Sequence, residues 1–181
     1  MSIRLVACLL IGGECFTQNN ITVEKWDTID TEEYSIQYPS TWEKKENYMN
    51  QKWMIISPLE SEKDKYTERI MIYSKEMKGP TVKIGNLKSL VLLHEHQLKN
   101  MLDKFNLIES TSFKTDSTEF YKFDYIGKIK DTNTKFKIRW VQYISVFNDK
   151  GFIITFTCEE KAYDRFKNVA YKILDSFQFK K

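Results

Sequence analysis

Residues 85–158 constrain the fold more than any other stretch of this chain. Between Gly85 and Phe105 the positions Leu87, Leu90, Val91, His94, Leu98, Met101, Leu102 and Phe105 recur at helical spacing, which predicts a long helix with one buried face. Four β-rich runs follow, 106–114, 120–130, 135–147 and 152–158. They are separated by Asp116-Ser117, Asp131-Thr132-Asn133 and Asn148-Asp149-Lys150-Gly151. Such residues supply the local hydrogen bonds and backbone freedom of tight turns. Strands joined in this way pair antiparallel, which argues against a parallel βαβ sheet.

The flanking segments complete the pattern. Tyr34, Ile36 and Tyr38 alternate with Ser35 and Gln37 as a half-wet strand that Pro39 ends. Residues 43–51 are polar and read as a loop, 53–56 as an apolar strand stopped by Ser57-Pro58, and 59–66 as a charged loop. Ile70, Ile72 and Tyr73 suit another strand, and Gly79-Pro80 breaks the chain. Phe166, Val169, Ala170, Ile173, Leu174 and Phe177 return at helical spacing, predicting a closing helix. Phe152, Ile154, Phe156 and Cys158 are apolar on one side and Ile153 on the other, so this strand is expected at the sheet centre with both faces covered. The fold class is α+β, an antiparallel β-sheet flanked by helices. The length, 181 residues, suits one domain.

The first residues differ from the rest. Arg4, the apolar run 5–11, Gly12-Gly13 and polar 17–20 have the order of a secretory signal peptide, expected to occupy residues 1–18 and to leave a single domain at 19–181. The apolar run is far short of the roughly 20 residues a membrane-spanning helix needs, so no permanent span is expected. Cys8 and Cys15 lie in this leader, and neither has a convincing lipid-attachment context. Only Cys158 would remain, which leaves no internal disulfide. The expected location is therefore outside the cytoplasm, in the periplasm or beyond. A net charge of +3 from 28 basic and 25 acidic residues gives no concentrated basic face, so nucleic acid is not an expected partner.

Catalytic patterns are sparse. His94-Glu95-His96 lacks the four-residue histidine spacing of a zinc protease helix. His94 reads as a core histidine and His96 as its solvated neighbour. Neither a nucleophile elbow nor a phosphate-cradling glycine loop occurs, and Cys158 reads as inert packing. Asp64 with Glu68, and Asp116 with Glu119, could be drawn as acid and base, but both pairs lie in polar turns and are expected to be solvated. Lys128, Lys130, Lys135, Lys137 and Arg139 alternate with Phe136, Ile138 and Trp140, the pattern of an exposed cationic strand face. No catalytic residue, cofactor or metal is expected. The candidate partner contacts are Lys44, Lys45, Tyr48 and Met49, an apolar pair among charges in the 43–51 segment.

The run Tyr34-Ser35-Ile36-Gln37-Tyr38-Pro39-Ser40-Thr41-Trp42 resembles the opening element of PsbP-like proteins, a family of PsbP, Mog and DcrB types. Residues 53–59, 64–68 and the terminal Ile173-Leu174-Asp175-Ser176-Phe177 agree with it. The resemblance implies a PsbP-like α/β/α sandwich and a non-enzymatic adaptor or assembly role, and its shared motif carries no functional residue to a numbered position. With the leader, this implies an exported binding or accessory protein of the bacterial cell envelope whose partner is an unknown envelope protein. Two alternatives are a small-ligand or lipid-head-group binder and, were the leader not cleaved, a cytoplasmic-type chaperone of secreted effectors.

Overall fold

Strands account for most of the described residues, and two helices interrupt them. The computed structural model describes residues 23–48, 51–62, 64, 66–79, 82–83, 86–115, 118–130, 132 and 136–180. The expected leader 1–18, Met49, Asp116 and Lys135 lie outside the described residues. The elements run β1 (Trp26–Asp30), β2 (Tyr34–Pro39), β3 (Glu43–Tyr48), β4 (Gln51–Ile56), β5 (Arg69–Glu76), β6 (Lys78–Gly79), β7 (Val82–Lys83) and α1 (Leu87–Met101). After these come β8 (Leu102–Thr115), β9 (Thr118–Ile129), β10 (Ile138–Phe147), β11 (Lys150–Glu159), α2 (Tyr163–Asp175) and β12 (Gln178–Phe179).

A seven-stranded sheet has the order β3-β4-β5-β11-β10-β9-β8, a smaller one the order β1-β2-β12, and β6-β7 is a short hairpin. Among the described residues every pairing is antiparallel. β11 is the fourth strand of seven, as its two apolar faces require. On one face, Phe152, Ile154, Phe156 and Cys158 meet Val141, Tyr143 and Phe120, and are covered by α2 and the small sheet. On the other, Phe123, Tyr125 and Ile144 meet Val91 and Leu98 of α1. The sheet is thus sandwiched between helices.

α2 buries Phe166, Val169, Ala170, Ile173 and Leu174, the 3,1,3,1 spacing of one helical face. Each of its larger apolar side chains contributes roughly 1.5–3 kcal/mol by leaving water. Ser176 then ties the helix end to β2, since its Oγ accepts from Gln37 N at 2.8 Å. That turn aims Phe177 and Phe179 into the gap between the two sheets. Phe179 stacks on Phe147 with centroids 4.4 Å apart and meets Phe152 and Phe177 edge-on at 4.8 and 4.9 Å.

α1 starts at Asn86, whose side chain accepts from Ser89 N at 3.0 Å. It lies so close to the sheet that a Cβ at Gly151 would stand 2.8 Å from Leu90 Cδ2. The helix is shorter than its spacing predicts, because Leu102 and Phe105 belong to β8. Between the pairs Asp103↔Lys128 and Asn106↔Ile126, β8 advances three residues while β9 advances two. One extra residue is therefore accommodated in a bulge, with Lys104 at φ 53°. The bulge resets the alternation, so Leu102 and Phe105, three apart, both pack on the α1 core. A strand with a bulge thus imitates the helical period. Met101, expected on the buried stripe, is 60% exposed at the helix end.

Segment 43–51 is the second correction. Residues Glu43–Tyr48 form an edge strand, not a loop, with Glu43↔Ile56 through Glu46↔Trp53 in register. Its charged residues hide the strand because both faces and one edge are largely wet. Charge is also how natural edges resist pairing with other chains. Here the charges are satisfied within the strand, by Lys44–Glu46 at 2.8 Å on one face and Lys45–Glu43 at 3.3 Å on the other.

Candidate partner-binding cleft

The turn between β1 and β2 is held by one threonine. Thr31 Oγ1 donates to Tyr34 O at 2.8 Å and accepts from Tyr34 N at 3.0 Å. This projects Glu32 and Glu33 from the corner of the small sheet toward the β3-β4-β5 end of the large one. The space between is a cleft of about 890 Å³, walled by Asp30, Glu32, Glu33, Lys44, Glu46, Lys52, Lys150 and Lys180, with Ile29, Tyr34, Trp53 and Ile72 deeper in its lining.

Ion pairs set its shape. Lys150, at the start of β11, reaches Glu33 of the small sheet at 2.5 Å and Glu76 of β5 at 3.5 Å, so it bridges the two walls. Its hydrogen bond to Glu33 holds the ammonium above its ordinary pKa. Lys180 pairs with Asp30 at 2.6 Å while its backbone N donates to Glu33 O at 2.9 Å. The hydrogen bond between Lys44 and Glu46 raises the amine and lowers the carboxyl. These pairs are exposed, and each contributes little to stability. What they build is a surface of closely alternating sign.

Of the sequence candidates, Lys44 lines this cleft and Lys45 faces away from it, its Nζ 5.4 Å from the Tyr48 ring centroid. Tyr48 is 40% exposed at the end of β3. Sequence reading missed the opposite wall, Asp30 to Glu33, Lys150 and Lys180, because it is assembled from three distant segments. The available signal was Thr31-Glu32-Glu33 between two alternating runs, a turn carrying two carboxylates.

Other expectations fare differently. His94 is half-buried on α1, its Nε2 2.7 Å from Gln142 Oε1. The Gln142 amide in turn donates to Thr155 Oγ1 at 3.0 Å, which fixes the histidine proton on Nε2. Burial lowers the His94 pKa, and the Gln142 contact opposes it in part. With the folded value below the unfolded one, its contribution is complete above pH 6.5 and is lost as pH falls through the folded value. The thermal midpoint of the wild type relative to His94→Gln should therefore decline on acidification from pH 7 to 5; parallel profiles would refute this. His96 is exposed, 3.0 Å from Asn100 Nδ2. Cys158 is buried, and desolvation pushes its thiol up, with Glu68 adding to the effect.

Two carboxylate and cation assignments are overturned. Glu68, expected to be solvated, is 2% exposed, with its carboxyl accepting from Ser57 Oγ at 2.8 Å and its carbonyl accepting from Ser57 N at 2.9 Å. Asp64 is half-buried and Glu119 exposed. Arg139, expected on an exposed cationic face, is covered by α2. It forms a fork with Asp124 at 2.8 and 2.7 Å, under the Tyr163 ring at 3.4 Å. Lys137 pairs with Glu160, and Lys130 donates to Asn100 O, so the expected strip is dispersed. Among the described residues no group of three or more His, Cys, Asp or Glu could hold a metal ion.

An antiparallel sheet flanked by two helices defines an α+β module. The sequence matches the PsbP family profile over residues 27–179, and the chain belongs to that family. No curated protein sequence matched. Solved structures share the fold at low identity. Cyanobacterial PsbP (CyanoP) from Synechocystis sp. PCC 6803 is 14% identical, with 97% of this chain and 99% of that one covered and a TM-score of 0.58. LpqN of Mycobacterium tuberculosis, described as involved in cell envelope biogenesis, is 10% identical over 87% and 91%, TM-score 0.63. The Saccharomyces cerevisiae Ran-binding protein Mog1p is 9% identical over 85% and 96%, TM-score 0.56.

Proposed function

We propose that this chain is an exported, non-catalytic binding or accessory module of the bacterial cell envelope, with residues 19–181 as its single mature domain. It acts through protein contacts made at the cleft beside β3. The observation that carries the reading is the wall of interleaved Lys44, Lys52, Lys150, Asp30, Glu33 and Glu46. Such a surface suits the mixed-charge rim of another protein, and is a poor match for a polyanion or an apolar ligand. The leader-like first residues and the envelope role named for LpqN support the location. Among the described residues no helix is long and apolar enough to cross a membrane.

The test is a crosslinked pull-down from envelope fractions with N-terminal sequencing of the native protein. A mature start near Gln18 is expected. Lys44→Glu/Lys52→Glu should reduce capture of the main partner by on the order of tenfold, whereas Lys167→Glu on α2 should not. Equal capture by all three proteins would remove the cleft from the account, and a retained leader would remove export.

A second reading has its own observation. A groove of about 370 Å³ between β8 and the end of α2 is lined by Phe113, Phe120, Tyr143 and Phe177, with Lys122 and Asp175 at its polar side. This combination suits a small ligand or a lipid head group. A small molecule retained in native mass spectrometry of the purified protein would favour it; an empty spectrum and no thermal shift across a ligand panel would dismiss it.

A further inference from the structure

Strand register builds the groove between β8 and the end of α2. Tyr143 of β10, Lys122 of β9 and Thr111 of β8 stand side by side in one row across the sheet, and Phe120 and Phe113 stand side by side in a second row. Paired residues project from one face, and the period of two puts both rows on the same one. α2 closes the opposite side with Asp175 in its last turn and Phe177 just beyond it. Phe120, Tyr143 and Phe177 are buried, and Phe113 is half-buried over them. The Phe113 ring lies 4.8 Å from Tyr143 and 5.5 Å from Phe120, so the wall is aromatic throughout.

Three charges lie along this wall. Lys122 Nζ donates to Glu109 Oε2 at 2.7 Å and stands 4.7 Å from the Tyr171 ring centroid. The lysine side chain is only 15% exposed, against 43% for Glu109. Burial pulls the Lys122 pKa down, but Glu109 and Tyr171 outweigh it and hold the amine above its ordinary value, as a cation. The Tyr143 hydroxyl donates to Asp175 Oδ1 at 2.7 Å. Burial, and then Asp175 itself, push that phenol up, so it keeps its proton and remains a donor. An ammonium has three N–H groups and a carboxylate about four acceptor sites, so both kinds of group retain bonding capacity for a ligand. The groove therefore offers one cation and two carboxylates beside an apolar surface.

We propose that this groove binds a free α-amino acid with an apolar side chain. Its carboxylate accepts from Lys122, its ammonium donates to Asp175 and Glu109, and its side chain lies along Phe113. The proposal rests on the small-ligand reading above and names the ligand class. Charge complementarity selects it: a lone carboxylate meets Glu109 and Asp175, a lone amine meets Lys122, and only a zwitterion answers both signs. Size agrees. At about 370 Å³ the groove lies near the small end of ligand sites, which run from about 300 to 1,000 Å³. That suits a single amino acid and is too small for the two acyl chains of a lipid.

Three probes of one shape test this by calorimetry and thermal shift on the purified protein: L-phenylalanine, 3-phenylpropionate, which lacks the ammonium, and 2-phenylethylamine, which lacks the carboxylate. Phenylalanine should bind, and each analogue should bind about tenfold more weakly or worse. Lys122→Gln should weaken phenylalanine about tenfold without weakening phenylethylamine, and Asp175→Asn should weaken phenylalanine to a similar degree without weakening phenylpropionate. Each comparison is made within one variant, so a loss of stability common to both probes does not imitate the pattern. Equal binding of all three probes to the wild type would overturn the proposal. Another kind of small molecule retained in native mass spectrometry, with no response to phenylalanine, would overturn the amino-acid class alone. An empty spectrum and no shift with any probe would remove the small-ligand reading along with it.

Discussion

Replacing Arg139 by Met should destabilise the protein by about 3–5 kcal/mol, as read by urea or thermal unfolding. Asp124 is only 2% exposed and receives both prongs of the Arg139 guanidinium. Removing the cation leaves a carboxylate in a dry layer between β9, β10 and the first turn of α2, without a replacement donor of equal strength. The Tyr163 ring, 3.4 Å from the guanidinium, loses its cationic partner as well. The companion variant separates this pair's net value from the cost of breaking it. Asp124→Leu/Arg139→Met removes both charges and should recover most of the loss, since buried pairs replaced by apolar residues of similar volume are often neutral. A single variant as stable as wild type would mean that Asp124 finds water, and that α2 does not seal this end of the sheet.

Phe177→Ala should cost roughly 3–5 kcal/mol, comparable to the loss of any large central aromatic. Phe177 lies outside α2, yet it is 4% exposed and sits between the two sheets. Its ring is 5.3 Å from Tyr34, 6.3 Å from Phe120 and 4.9 Å from Phe179. Truncation would open a cavity where the small sheet rests on the large one. It would also loosen β12, whose pairing with β2 is only Gln178↔Ser35 and Phe179↔Tyr34. Denaturant unfolding followed by tryptophan fluorescence should register this, because Trp53 packs against Tyr34 at 6.1 Å. A loss under about 1 kcal/mol would show that the small sheet is a loosely held appendage.

The arrangement of the sandwich was readable because its signals are local. Four alternating runs with turn residues between them define an antiparallel meander, and the spacing of Phe166 to Leu174 defines α2 without knowledge of what it covers. Misreadings occur where local pattern and tertiary setting diverge. Leu102 and Phe105 imitate a helix because a bulge at Lys104 returns both to one face. Glu43 to Tyr48 imitate a loop because an edge strand can be charged throughout. β1 and β12 are short strands stabilised by pairing across the length of the chain, and nothing within them announces it. The cleft shares that limitation. Lys44 stands out locally, but Glu33, Lys150 and Lys180 become its neighbours only when β2, β11 and β12 come together. Glu68 was assigned to solvent from its polar surroundings in the sequence, and its partner in the buried site, Ser57, lies eleven residues earlier.

Site-specific photocrosslinking in living cells tests the proposed contact through the cleft most directly. A photoreactive residue at position 52, exposed on the cleft wall, should give one dominant protein adduct, and the same residue at 167, exposed on α2, should not. Adducts of the same kind from both positions, or from 167 alone, would contradict it.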